Sequence, residues 1–323
     1  MSREEADQMQ RWGRRSAFTG ATLWLVLVVI KPSDIFRVEL IEKLFLLAPL
    51  VIVPLGLSLV QPANPQGREA LLYRVALVAQ PFGAALAVCS FLLSQGVWAA
   101  LLAAAWLALT ALIALYGLMR FLFFGVRRVE ETSINAGLIY LSVGGVWLVI
   151  SRLGYQPLGF GDTIVLLTAV HFHYTGFAAP LLAGLAGRTL QRDPPAWIRR
   201  TLQAASYGII MGTPLVAAGI TLSAPVLGLV GALVVSTGLW LLAALVMVRV
   251  VPVLLSRPAQ MLLVTSSVSS LAAMMLACAY AYSIVSKQLI INIPHMAMSH
   301  GIMNALGFAL CGLLGWCLSD GKL

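Results

Sequence analysis

Charge is scarce in this chain. Only 10% of its 323 residues are Asp, Glu, Lys or Arg, against about a quarter in a soluble globular domain. With 60% hydrophobic residues and a mean hydropathy of +0.93, that shortage excludes an ordinary water-soluble fold. Long polar stretches are missing too: the longest, Gly187 to Arg200 around Asp193, Pro194 and Pro195, is no more than a loop. The four cysteines, Cys89, Cys278, Cys311 and Cys317, lie in apolar runs without CxxC spacing. They frame neither a disulfide scaffold nor a zinc site and read as small packing residues. The sequence has no HExxH, no desaturase histidine boxes, no paired ExxH, no GxSxG elbow and no phosphate-binding glycine loop. The metalloprotease, diiron, hydrolase and nucleotide-driven classes therefore have no motif to stand on.

Apolar sequence fills the chain instead. Runs of about 18–25 residues, the length that crosses roughly 30 Å of hydrocarbon as a helix, fall near 13–30, 40–60, 72–93, 97–119, 133–150, 162–186, 202–222, 225–250, 260–285 and 297–318. The expected fold class is all-α: a polytopic transmembrane helix bundle of about ten helices, forming a single membrane domain over 1–323. Only Ser223, Ala224 and Pro225 separate the seventh run from the eighth.

Positive charge tests the count, because short cytoplasmic loops are enriched in Lys and Arg. With the N-terminus inside, sixteen of the 21 Lys and Arg residues face the cytoplasm; Lys31, Arg37, Lys43, Arg152 and Lys287 face the other side. A wrong odd number of helices would scramble that asymmetry. Both termini are thus expected to be cytoplasmic, with 1–12 a cytoplasmic N-terminal segment and 187–200 a cytoplasmic loop. The first apolar run follows a basic start as a signal sequence would. Lys31 and Pro32, however, stand after Ile30 where a small-residue cleavage site would be needed, so this helix is read as uncleaved.

The net charge of +9 comes from arginines beside helix ends, where anionic headgroups attract them. Membrane lipids are therefore the expected partners and nucleic acid is not; the location implied is a membrane crossed many times, its arginine-rich side toward the cytoplasm. Nothing in the sequence sets the oligomeric state. No match between the two halves supports a five-plus-five inverted repeat, which weakens a transporter. Gly301, Gly307, Gly312 and Gly315 let another helix approach the last one closely. Trp98, Trp147 and Trp316 near helix ends read as an interfacial belt.

All four histidines fall in two clusters: His171 and His173 in VHFHYTGFAAP, and His295 and His300 in PHMAMSHGIMNALGF. An imidazole in hydrocarbon needs partners that lipid cannot supply, so such residues face a cavity, a partner or a ligand. In the expected orientation the second, sixth and tenth helices run inward from the outer face. Each carries ionisable residues near its start: Glu39 and Glu42, then Asp162, then His295 and His300. Asp162, Leu166, Ala169, His173 and Phe177 share one stripe of the sixth helix, and Asn304 shares a face with His300. His171 and His173 point apart unless the helix is distorted, which Gly176 and Pro180 permit.

Three readings of these residues stay open. The first is a metal site, for which His171, His173, His295 and His300 are the possible ligands; its spacing is weak, and no cofactor is expected. The second is acid/base chemistry, with Asp162, Glu42 or Glu39 as acid, His173, His300 or His171 as base or relay, and Tyr174, Asn304 and Phe177 contacting substrate. The third is packing, in which the histidines and Asn304 hydrogen-bond across helices, and Glu39 pairs with Lys43 at i and i+4.

Three blocks, IEKLFLLAPLVIVPLGL (41–57), AVHFHYTGFAAPLLAG (169–184) and SHGIMNALGFALCGLLGW (299–316), resemble the YndJ-like family of bacterial integral membrane proteins. The resemblance implies a multi-helix membrane protein marked by His171, His173, Tyr174, His300 and Asn304. It implies no activity or cofactor. The function expected from the residues is a membrane-embedded enzyme performing cyclisation, isomerisation or hydration on a lipophilic small molecule in an intramembrane cavity. A proton- or metal-coupled transporter and a noncatalytic scaffold are the alternatives.

Overall fold

The computed structural model describes residues 3–30, 38–62, 67–190 and 194–319. Lys31, Pro32, Arg37, Arg192, Asp193 and Lys322, used above in reading topology, lie outside the described residues. Ten helices account for nearly all of the rest: α1 Arg3–Val29, α2 Leu40–Ser58, α3 Arg68–Phe91, α4 Val97–Phe124, α5 Val129–Leu153, α6 Asp162–Leu190, α7 Ala196–Thr221, α8 Pro225–Val253, α9 Arg257–Ser286 and α10 Ile293–Ser319. Among the described residues, α2 to α10 are nine helices long and apolar enough to cross a membrane. Helix α1 is also long enough, about 40 Å at 1.5 Å per residue, but its first turns are polar. The helix starts at Arg3, ahead of the apolar run that begins near residue 13, and α6 runs on to Leu190, past the run that ends near residue 186.

Four of these helices are not regular. Turns with the wider π spacing occur at Ala48–Ile52 in α2, Phe172–Ala178 in α6, Val246–Val250 in α8, and Ala297–Gly301 and Met303–Leu310 in α10. Such turns are rare and concentrate at functional sites. Those in α2, α6 and α8 lie beside a proline, which cannot continue the ordinary ladder; Pro252 is the one in α8. Pro49 and Pro54 in α2 and Pro180 in α6 bring no N–H, and carbonyls freed nearby need donors from elsewhere. The Pro49 carbonyl takes the Gln80 side-chain amide of α3 at 2.6 Å, and the Phe308 carbonyl in α10 takes the Ser266 hydroxyl of α9 at 2.7 Å.

Contacts divide the chain into two compact units. The first comprises Met1–Gly125 and Asn135–Ala178, the second Val126–Ile134 and Ala179–Leu323. In the first unit α1 lies on α2 through Gly13, Ala17 and Gly20, three buried small residues on one stripe. A Cβ on Gly20 would collide with the Leu50 carbonyl, which is backbone and cannot swing aside. Gly20→Ala is therefore expected to lower stability by about 1–3 kcal/mol, the usual cost of overpacking. Thermal unfolding in detergent checks this beside Thr19→Ala, whose side chain is exposed; equal midpoints for the two variants would show that α1 is not seated on α2 in this way.

In the second unit α7 and α8 form a hairpin closed by Leu222, Ser223 and Ala224, with Ser223 at φ +50°. Glycines make the contact: a Cβ on Gly219 would collide with Gly228, one on Gly212 would stand 2.6 Å from the Val235 nitrogen, and one on Gly238 would stand 2.8 Å from the Ala205 carbonyl. Gly307, Gly312 and Gly315 seat α10 against Ser269, Ser266 and Leu263 of α9, the close approach expected for that helix. Trp316 is buried and does not belong to an interfacial belt, whereas Trp98 is exposed at the start of α4.

Candidate functional site

The histidine-bearing stretch of α6 begins where its helix widens. Leu166, Ala169, His173 and Phe177 are buried on one stripe, as their spacing requires, while Asp162 stands exposed at the helix start and accepts the Gln156 amide at 3.0 Å. His173 is completely buried. The indole N–H of Trp106 in α4 donates to its Nε2 at 2.9 Å, and its Nδ1 lies 2.8 Å from the Ala169 carbonyl. Because an indole nitrogen only donates and a carbonyl only accepts, these partners fix the tautomer: the proton sits on Nδ1 and the lone pair of Nε2 is taken. The ring lies nearly parallel to Trp106 (19°, centroids 5.9 Å) and edge-on to Phe45 of α2 (77°, 5.0 Å). Gly144 of α5 makes the room, since a Cβ there would come within 2.6 Å of Nδ1. Tyr174 extends the same assembly, its hydroxyl donating to the Leu44 carbonyl at 2.7 Å.

Distortion does not bring His171 round to His173. His171 is exposed, with Nδ1 2.7 Å from its own Leu167 carbonyl. At the start of α2, Glu42 accepts the Glu39 backbone N–H at 3.0 Å, one half of a capping box. Lys43 turns from Glu39 to the end of α1, where its ammonium reaches the Val28 and Ile30 carbonyls at 3.3 and 3.5 Å and its own carbonyl takes the Trp24 indole at 2.7 Å. The i, i+4 pairing expected of Glu39 and Lys43 is displaced by this clamp on the orphan carbonyls that end α1.

His295 and His300 belong to the second unit. His295 is exposed at the start of α10, where Asn292 accepts its backbone N–H at 3.0 Å and stands 2.7 Å from its Nδ1. His300 is half-buried; its Nδ1 lies 2.8 Å from the Ala273 carbonyl of α9, and the Asn304 amide is 3.0 Å from its Nε2. His300 and Asn304 therefore do share a face. Among the described residues, no three His, Cys, Asp or Glu side chains gather in a group able to hold a metal ion.

Reading the sequence alone missed the most deeply buried charge. Arg120 of α4 is 0% exposed. Its Nη1 donates to the Gln61 carbonyl at 2.5 Å and lies 3.6 Å from Glu69 of α3; its Nε donates to Asn135 of α5 at 3.1 Å. In the second unit Arg188 of α6 makes a two-point pair with Glu131 of α5, at 2.7 and 2.9 Å. A signal for Arg120 was present: it is followed by Phe121, Leu122, Phe123 and Phe124, so the apolar run continues past it and ends later than residue 119.

The family profile described as YndJ-like protein matches residues 43–308, most of the chain. The chain belongs to the YndJ-like family. It is 29% identical over 311 residues to the uncharacterized membrane protein YndJ of Bacillus subtilis (strain 168), covering 96% of this chain and 54% of that protein. The chain thus spans about half the length of the curated YndJ relative it matches. No solved structure matches it. The YndJ-like match takes in both histidine clusters, Tyr174, Asn304, Arg120 and Arg188, and leaves α1 outside.

Proposed function

We propose that this chain is a noncatalytic membrane module of the YndJ-like family, a helical scaffold whose polar residues set helix against helix. It would lie in the bacterial cytoplasmic membrane with both ends of the chain inside, the orientation its arginines favour. The observation that carries this reading is the saturation of His173: with Nδ1 on Ala169 and Nε2 on Trp106, no proton or lone pair is left to offer a substrate or metal. Tyr174 on Leu44 and Ser266 on Phe308 likewise join neighbouring helices, each by a side chain on the other's backbone, and Arg120 holds the Gln61 carbonyl just past α2.

A second reading has its own support. His300 and Asn304 form a half-exposed polar pair within or beside the widened turns of α10. Asp162 is an exposed carboxyl and the Glu42 carboxyl caps its helix start. Each is material for acid/base chemistry on a lipophilic molecule within its own unit, Asp162 or Glu42 as an acid in the first and His300 as a base in the second.

Untargeted lipid analysis of membranes expressing the protein, or Asp162→Asn, His173→Gln or His300→Gln, separates the two. The scaffold reading expects identical profiles, with lower thermal stability confined to His173→Gln and His300→Gln. A product present with the unmodified chain and absent with folded Asp162→Asn or His300→Gln would overturn it in favour of the enzyme.

A further inference from the structure

In the second unit, the ends of α6, α7 and α8 enclose a cleft of about 210 Å³, lined by Thr189, Leu190, Pro194, Pro195, Ile198 and Arg249. Two features of its wall favour an anion, and two further arginines stand beside it on α7. Arg249 is exposed and, among the described residues, has no hydrogen bond or ion pair; its guanidinium lies over the Trp197 ring, 6.0 Å from the centroid. Helix α7 starts here without a side-chain cap, at Pro195, and has no acid in its first turn, so its first N–H groups and positive dipole end are uncompensated. Arg199 and Arg200 then add two exposed cations to that positive end, an arrangement that opposes the dipole and that a bound anion relieves. Asp193, the acid nearest in sequence, lies outside the described residues.

The floor decides which anion. Leu190 and Ile198 belong to an apolar cluster with Val129, Leu202 and Leu245, and the exposed Trp197 beside it is of the type that settles at headgroup depth. Inorganic phosphate has no use for such a surface, whereas a phospholipid presents a phosphate above glycerol and acyl carbons.

We propose that this cleft is a binding site for the phosphodiester headgroup of an anionic phospholipid, with Arg249 as the principal cation and the start of α7 as second donor. The site does not depend on whether the module is a scaffold or an enzyme.

The test is native mass spectrometry of the detergent-purified full chain titrated with phosphatidylglycerol or with phosphatidylcholine of the same acyl chains. Arg249→Gln is compared with Arg257→Gln, a neighbouring exposed arginine outside the cleft. Phosphatidylglycerol should bind at least tenfold more tightly than phosphatidylcholine, and Arg249→Gln should lose about tenfold, the worth of one charged hydrogen bond. Arg257→Gln should change little, and millimolar inorganic phosphate should not displace the lipid. Equal binding by the Arg249 and Arg257 variants, or no preference between the two lipids, would overturn the proposal. Displacement by inorganic phosphate would overturn the lipid assignment in favour of a free anion.

Discussion

Arg120→Ala is expected to lower stability by about 3–5 kcal/mol, the cost of leaving a buried charge partner uncompensated. The size follows from what surrounds the guanidinium. The chain leaves α2 after Ser58, and side chains from two neighbouring helices meet carbonyls at and just past that end: Tyr73 on Leu57 at 3.3 Å, Tyr116 on Val60 at 3.1 Å and Arg120 on Gln61 at 2.5 Å. The Arg120 guanidinium also lies 5.1 Å from the centre of the Phe124 ring and 5.7 Å from that of Tyr116. Removing it takes a partner at once from the Gln61 carbonyl, the Asn135 side-chain oxygen and the Glu69 carboxyl. Lysine cannot repair the loss, since one ammonium has no planar fork to reach all three. In thermal unfolding, Arg120→Lys should fall between the native chain and Arg120→Ala. Arg120→Leu with Glu69→Leu should be more stable than Arg120→Leu alone, because the buried carboxyl that lost its cation goes too. A melting point for Arg120→Ala within a degree of the unmodified protein would refute this account of the site.

Trp106→Ala should cost a similar amount, about 3–5 kcal/mol, because a large buried side chain leaves a cavity. Trp106 is 0% exposed and stacks on His173 while donating to it. Trp106→Phe isolates the second contribution: it keeps most of the ring volume but deletes the donor, so Nε2 of His173 is left buried and unmet at a cost of about 1–3 kcal/mol. Nitrogen chemical shifts of labelled imidazole would read the tautomer directly. In the unmodified chain the His173 signals should show a protonated Nδ1 and an accepting Nε2, and Trp106→Phe should shift Nε2 selectively. The opposite tautomer would contradict the assigned bonding of α6 to α4.

Most of the helix framework was legible because hydrocarbon imposes a simple rule of length, and nine spans plus α1 fall where apolar runs lie. Phase was legible as well: the stripe through Leu166, Ala169, His173 and Phe177 is buried, and His300 and Asn304 meet. What could not be read were partners. Nothing in the string connects Trp106 to His173 across 67 positions, or Arg120 to the Gln61 carbonyl across 59; both depend on helix contacts that composition leaves open. Wide turns were equally hidden. Gly176 and Pro180 permitted a distortion in α6 without fixing its kind, and the one that occurs leaves His171 outward. Arg120 and Arg188 were counted as loop charges because a charge at the edge of an apolar run looks the same whether it ends the helix or is wound into it.

The bare contact between α7 and α8 bears on biogenesis. Each helix presents a glycine-rich strip whose peptide groups are already bonded within the helix, and another bare backbone packs into that shallow groove more closely than lipid tails do. With only three residues between them, the two would leave the translocon together as a closed pair, each shielding the other's backbone before any remaining helix has docked.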